Sequence, residues 1–255
     1  SPLSDLLFAP TYGQENIIKH SPIEAALQGK TKGIDLMIGT TANELSYWEF
    51  YDTETEHICQ QTVNENLFTS IDPAQTANIQ KLYELYKQNP ERAGYTEGEL
   101  MLTLGDDYAF RVAAIQLAEA QSNLGNTYLY RMDYPVNLPE HPCQNNRAPH
   151  GSELPFVFGK VAQPSGIFFT GVARNPEDAT TRERLMHGMM SAWVNFAKTG
   201  NPNGETLRTW DKFTPVNQPT MHFGINSKME NAPFHEEYLA MAEFMKTFNV
   251  FDALK

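Results

Sequence analysis

The stretch Ile34-Asp-Leu-Met-Ile-Gly39 runs straight into the polar segment Thr40-Thr-Ala-Asn-Glu44. A short apolar run bounded by a polar turn reads as a buried strand, and a buried strand needs a layer on each face. The segments around it are of the kind that supply such layers. Ser21-Pro-Ile-Glu24 reads as a helix start, with Ser21 as N-cap, Pro22 at the first helical position and Glu24 closing a capping box. Ile79, Leu82, Tyr83 and Tyr86 share one helical face in a mostly helical stretch from about Ile58 to Lys87, with Asp72-Pro73 as cap and Asn89-Pro90 as stop. Phe110, Ala113, Ala114, Leu117 and Ala118 mark a further helix ended by Gly125. Thr127 to Met132 reads as a strand, and Pro219 to Phe223 as another. Thr180-Thr-Arg-Glu183 is a second capping box, opening a helix that buries Leu185, Met186, Met189, Met190, Trp193, Phe196 and Ala197. Glu236 to Phe248 is a last amphipathic helix. Strands alternating with helices predict a layered α/β fold. The strands are few for 255 residues, which implies an incomplete sheet, part of a larger one.

No repeat, low-complexity tract or Gly/Ser-rich linker divides the chain, so it reads as one domain. The net charge of −12 disfavours nucleic acid and anionic membrane as partners, because phosphates attract basic patches. No apolar run is long enough to span a bilayer. The two cysteines, Cys59 and Cys143, allow one bridge at most and no disulfide framework. The chain opens Ser1-Pro2-Leu3, without an initiator Met or a signal peptide, as a processed chain or a piece of a longer one would. The compartment is therefore left open between the cytoplasm, which is favoured, and secretion.

Seven histidines offer candidate chemistry. His20, His57, His222 and His235 read as structural or solvated, and His187 as a helix residue in the core or at the surface. His141, Cys143 and His150 could group as metal ligands, but their spacing matches no zinc pattern and no fourth ligand is apparent. His235-Glu-Glu lacks the second His of an H-E-x-x-H helix. Neither a metal nor another cofactor is expected. His150 differs in its setting. It follows a strand, sits in a Pro/Gly-bounded loop and precedes Phe156-Val-Phe158, a run expected to anchor that loop on the core. A general base needs one ring nitrogen presented and the other oriented, commonly by a carboxylate. Glu44 is the natural partner because it too lies just past a strand, and groups at the carboxyl ends of strands converge in open α/β sheets. On spacing alone, Glu44 could equally be a solvated turn carboxylate.

Three blocks in order, "GTTANELSYW", "HGSELPFVFG" and "SAWVNFAKTGNPNG", resemble the carboxylesterase type-B, or cholinesterase-like, family of α/β-hydrolases. The resemblance runs from about Phe8 to the last helix and corresponds to the C-terminal half of a family member, with a helical insertion around 50–105. It implies that residues 1–255 are the C-terminal part of an α/β-hydrolase domain. Gly39 to Glu44 matches the family's Gly-x-x-x-x-Glu turn and His150 to Glu153 its His-Gly-x-Glu turn. By resemblance, Glu44 is then the acid and His150 the base of a Ser-His-Glu triad in a carboxylic ester hydrolase. Ser46 and Glu153 fit hydrogen-bonding roles behind the acid turn and the His loop, with a buried structural carboxylate the default for Glu153. Tyr47, Trp48, Phe50 and Tyr51 line a substrate pocket or simply pack.

Two departures stand out. Leu45 follows the acid where the family usually has Gly, and the early Pro-x-x-Asp-Gly block is reduced to Pro10-Thr-Tyr-Gly13. No serine has Gly at both minus two and plus two, and no Gly-Gly pair occurs, so both the nucleophile elbow and the glycine-rich oxyanion loop are missing. The partner implied is the N-terminal half of the same enzyme, with a small ester as substrate. Without that half, an uncovered sheet edge and apolar face predict self-association. The competing reading is a cholinesterase-like binding or adhesion module that has lost its serine.

Overall fold

The computed structural model describes residues 13, 17–51, 73–207 and 209–247, the side chains of 48–51 and 73–76 excepted. The Pro10-Thr-Tyr part of the reduced block, Cys59, the helical pattern before 73 and the side chains of Trp48, Phe50 and Tyr51 lie outside the described residues.

Among the described residues, four strands form one open sheet in the order β1 (Leu36–Thr41), β2 (Thr127–Met132), β3 (Pro219–Phe223), β4 (Lys228–Asn231). The first three are parallel, and β4 returns antiparallel on β3. Parallel strands need crossover connections, and here the crossovers carry helices. The β1–β2 crossover carries α2 (Pro73–Lys87), α3 (Glu97–Asp106) and α4 (Val112–Gln121), and the β2–β3 crossover carries α5 (Leu154–Val157), α6 (Pro164–Thr170) and α7 (Pro176–Thr199), while α1 (Pro22–Leu27) precedes β1 and α8 (His235–Thr247) follows β4.

The period-2 alternation of β2 divides the core. Leu129 faces a cluster containing Leu82, Tyr86, Leu104, Val112, Ile115, Met241 and Phe244, from α2, α3, α4 and α8. Tyr128 and Met132 face the opposite cluster, with Phe156, Leu185, Met189, Trp210, Met221 and Phe223. Both faces of β2 are covered, as the sequence pattern requires, whereas β1 is only part-buried before Thr41.

Several expectations shift. The helix from Glu97 to Asp106 falls within the helical insertion expected around 50–105 but was not given bounds of its own. It joins α4 through a turn of π-helix, Asp107–Arg111, so the helix expected around Phe110 is one half of a longer rod that ends at Gln121, before Gly125. β4 was likewise not anticipated. α7 begins at Pro176, not at Thr180: Asn175 Oδ1 caps it by accepting the Asp178 N–H at 2.9 Å, while Thr180 Oγ1 donates to the Pro176 carbonyl one turn inside. The Thr-x-x-Glu pattern lost to Asn-Pro because a cap followed by proline leaves no unsatisfied first N–H. Ala197 is exposed on α7. Of the expected aromatic anchor, Phe156 is fully buried but Phe158 is exposed, since the run folds as α5 and turns the two rings apart.

Candidate active site

β1 ends at Thr41, and the chain turns at once into a 3-10 helix, Glu44–Tyr51. The turn fixes Glu44 from within: the Thr41 N–H donates to Glu44 Oε1 at 2.7 Å. Ser46 closes it further, its Oγ donating to the Asn43 carbonyl at 2.6 Å. Glu44 and Ser46 are both buried.

The loop after β2 carries His150 and is tied down at several points. The Val136 N–H donates to the Arg147 carbonyl, and the Asn137 N–H to the Thr170 carbonyl. The Arg174 guanidinium donates to the carbonyls of Pro135 and Val136. Arg147 donates to the Cys143 carbonyl and to Glu99 Oε1, both at 2.6 Å, which pins the loop to the first turn of α3. Asn43 joins the two turns directly. Its N–H donates to the Ala148 carbonyl at 3.0 Å and its side-chain oxygen accepts the Ala148 N–H at 3.2 Å. Gly151 then takes a positive φ of 79°, which lets the chain turn sharply after the histidine.

The result brings together two residues 106 positions apart: His150 Nδ1 lies 2.6 Å from Glu44 Oε2. The Glu44 side chain is 5% exposed and that of His150 46%. With Nδ1–H donating to the carboxylate, the other ring nitrogen, Nε2, is the proton-accepting atom on the half-exposed ring. Phe110, in the π-turn, packs on the imidazole with ring centroids 5.5 Å apart, and Tyr47 flanks it at 6.0 Å. The Glu44 hydrogen bond raises the His150 pKa above its ordinary value, against desolvation, with the Glu44 and Glu153 charges adding to the rise. Glu153 stands at the start of α5, and its Oε2 is buried without a hydrogen-bond partner among the described residues. Burial, then the Glu44 charge, push its carboxyl up.

Of the other candidates, Cys143 is disulfide-bonded, and among the described residues no three His, Cys, Asp or Glu groups gather as metal ligands. Neither Asn43, Arg147 nor Asp106 was singled out from the sequence, and Phe110 was read only as a helix residue. Only Asn43 left a signal there, as the residue preceding the acid in a turn.

A protein-family model described as the carboxylesterase family matches residues 2–241. The chain belongs to the carboxylesterase family. Para-nitrobenzyl esterase of Bacillus subtilis (strain 168) is 29% identical over 234 residues, covering 91% of this chain and 42% of the esterase. Human cocaine esterase is 35% identical over 113 residues, 44% of this chain and 19% of that protein. Among solved structures, a Geobacillus stearothermophilus carboxylesterase at pH 6.2 aligns with a TM-score of 0.67 at 26% identity, covering 89% of this chain and 44% of that one. A structure of PNB esterase aligns at 0.63 and 27% identity, over 88% of this chain and 41% of that one. This carboxylesterase-family chain thus has the α/β-hydrolase architecture and spans well under half the length of these relatives. No helix among its described residues is long and apolar enough to cross a membrane.

Proposed function

We propose that residues 1–255 are the C-terminal part of a serine carboxylesterase domain, with a helical insertion around 50–105. In this reading they supply the acid and base of the triad to a serine carried elsewhere in the enzyme. The observation that carries it is the 2.6 Å contact between a buried Glu44 carboxylate and the Nδ1 of a half-exposed His150. Both groups follow the carboxyl ends of neighbouring parallel strands, where α/β sheets assemble their sites.

The chemistry follows from the two ring nitrogens. Nε2 of His150 takes the proton of the attacking serine and later returns it to the alcohol leaving group, while Glu44 holds the tautomer and stabilises the imidazolium. Water then releases the acyl group by the same route. Tyr47, whose ring flanks the imidazole, is in this reading a wall of the substrate pocket, with Trp48, Phe50 and Tyr51 as its further candidates in the sequence. Ser46 stiffens the acid turn. Glu153 adds negative charge beside the base. Substrates are small carboxylic esters.

The sequence has neither a G-x-S-x-G elbow nor a Gly-Gly pair for an oxyanion loop, and loss of the nucleophile removes most of what an acid–base pair can deliver. The partner is the N-terminal half of the same enzyme, docked along β1, which among the described strands pairs only with β2. The purified 255-residue chain should hydrolyse no p-nitrophenyl acetate above background and should self-associate through the uncovered edge. Full-length enzyme should turn the ester over. Hydrolysis by the 255-residue chain itself would contradict the division of the triad.

A further inference from the structure

The residue after the acid is Leu45, where the family resemblance leads one to expect glycine. The side chain finds room on α3. Gly105 faces it, and a Cβ built at Gly105 would overlap the Leu45 Cδ1 methyl. The Leu45 N–H, one of the first donors of the 3-10 helix and so without a partner inside it, donates to Asp106 Oδ1 at 2.7 Å. We propose that Leu45, Gly105 and Asp106 form a positioning lock for the acid: α3 omits a side chain at 105 to seat Leu45 and holds the Leu45 N–H on the Asp106 carboxyl, which fixes the adjoining Glu44 opposite His150. The lock rests on the reading of Glu44 and His150 as acid and base.

Three features fit it. Asp106 is buried, and burial, together with the charges of Asp107 and Glu44, raises its pKa well above the ordinary carboxylate value, against the Leu45 hydrogen bond and Arg131. The same rod carries Phe110 onto the imidazole four residues on, and a π-turn inside a helix is the kind of irregularity that often serves a functional site. Arg147 ties the start of α3 to the His loop. One rod therefore braces both halves of the pair.

The test is the titration of the His150 imidazole by NMR in the 255-residue chain. Of the charged groups around it, Glu44 and Glu153 set its value. Gly105→Ala should push Leu45 away, loosen the Glu44 hydrogen bond and move the His150 midpoint down toward 6.5. Leu45→Gly added to Gly105→Ala should restore it. Asp106→Asn, which keeps an acceptor, should leave it in place, and Asp106→Val should lower it. An unchanged midpoint in Gly105→Ala, or a double variant as displaced as the single one, would overturn the lock. Should Gly105→Ala not fold, a folded double variant with the parent midpoint supports the lock, and an unfolded one overturns it. In full-length enzyme, kcat should fall in Gly105→Ala with KM held, and recover in the double variant. Absence of ester turnover in the unsubstituted full-length enzyme, beside the titration pattern above, rejects the esterase reading and leaves the lock standing.

Discussion

Two carboxylate–imidazole pairs lie at the ends of this sheet, and by distance alone they are twins. His150 Nδ1 is 2.6 Å from Glu44, and His222 Nδ1 is 2.5 Å from Asp133. Their surroundings separate them. His222 is the penultimate residue of β3, and its side chain is 7% exposed. Its Nε2 is buried, with Glu230 3.9 Å away. Asp133 is shared with Arg131 at 3.0 Å, and that cation is the leading influence holding its carboxyl below the usual range against burial. Glu44 has no ion-pair partner but His150 among the described residues, and the His150 side chain is half-exposed. A proton carrier needs an imidazole open to solvent and substrate and a carboxylate not spent on a competing cation. Only the first pair meets both needs. The second serves to knit β2, β3 and β4 together.

The contrast can be broken in order of effect. In full-length enzyme, Glu44→Gln should lower kcat about 10⁴-fold, the scale seen when an orienting carboxylate is lost. Asp133→Asn should leave kcat within a few-fold. Stability should respond the other way. His222→Ala removes a buried imidazole and its hydrogen bond to the part-buried Asp133, and should cost about 1–3 kcal/mol in denaturant unfolding. His150→Ala, at a half-exposed position, should cost well under that. Phe156→Ala, on the core side of the His loop, offers a stability reference of about 3–5 kcal/mol.

The pH dependence distinguishes the pairs more finely. Because the folded pKa of His150 is raised, its pair with Glu44 stabilises the fold below the imidazole's unfolded value. That contribution is lost as pH rises through the folded value. A base must be neutral, so ester turnover should climb over the same interval, with its midpoint above 6.5. Glu44→Gln should move that limb down. The smallest effect belongs to Glu153→Gln, which removes one of the charges raising His150. It should shift the NMR midpoint of His150 slightly downward. An unchanged His150 would remove Glu153 from the site's electrostatics.

Much of this was legible in the sequence. The capping box at Ser21, the strands at 127–132 and 219–223 and the last helix follow from local signals that tertiary packing did not override. The pairing of Glu44 with His150 was legible because strand ends converge and because the flanking motifs resemble a family. α3 was not, since Gly98 and Leu100 to Asp106 are all buried. A helix buried all round has no polar face, and so no 3.6-residue stripe to detect. Its Thr96–Glu99 capping box was the signal available. β4 alternates no apolar residues and exists as a strand only by pairing with β3. The contacts of Asn43, Asp106 and Arg147 were not legible for another reason. Each acts through one hydrogen bond or two to a distant segment, and single-sequence periodicity carries no record of such contacts.

The central claim is that His150, and not His222, is the working base. It is tested most directly by steady-state hydrolysis of p-nitrophenyl acetate by full-length enzyme carrying His150→Gln or His222→Gln, both checked for folding. The account predicts a loss of at least about 10⁴-fold for His150→Gln and retention within a few-fold for His222→Gln. Retained turnover in a folded His150→Gln enzyme would contradict it.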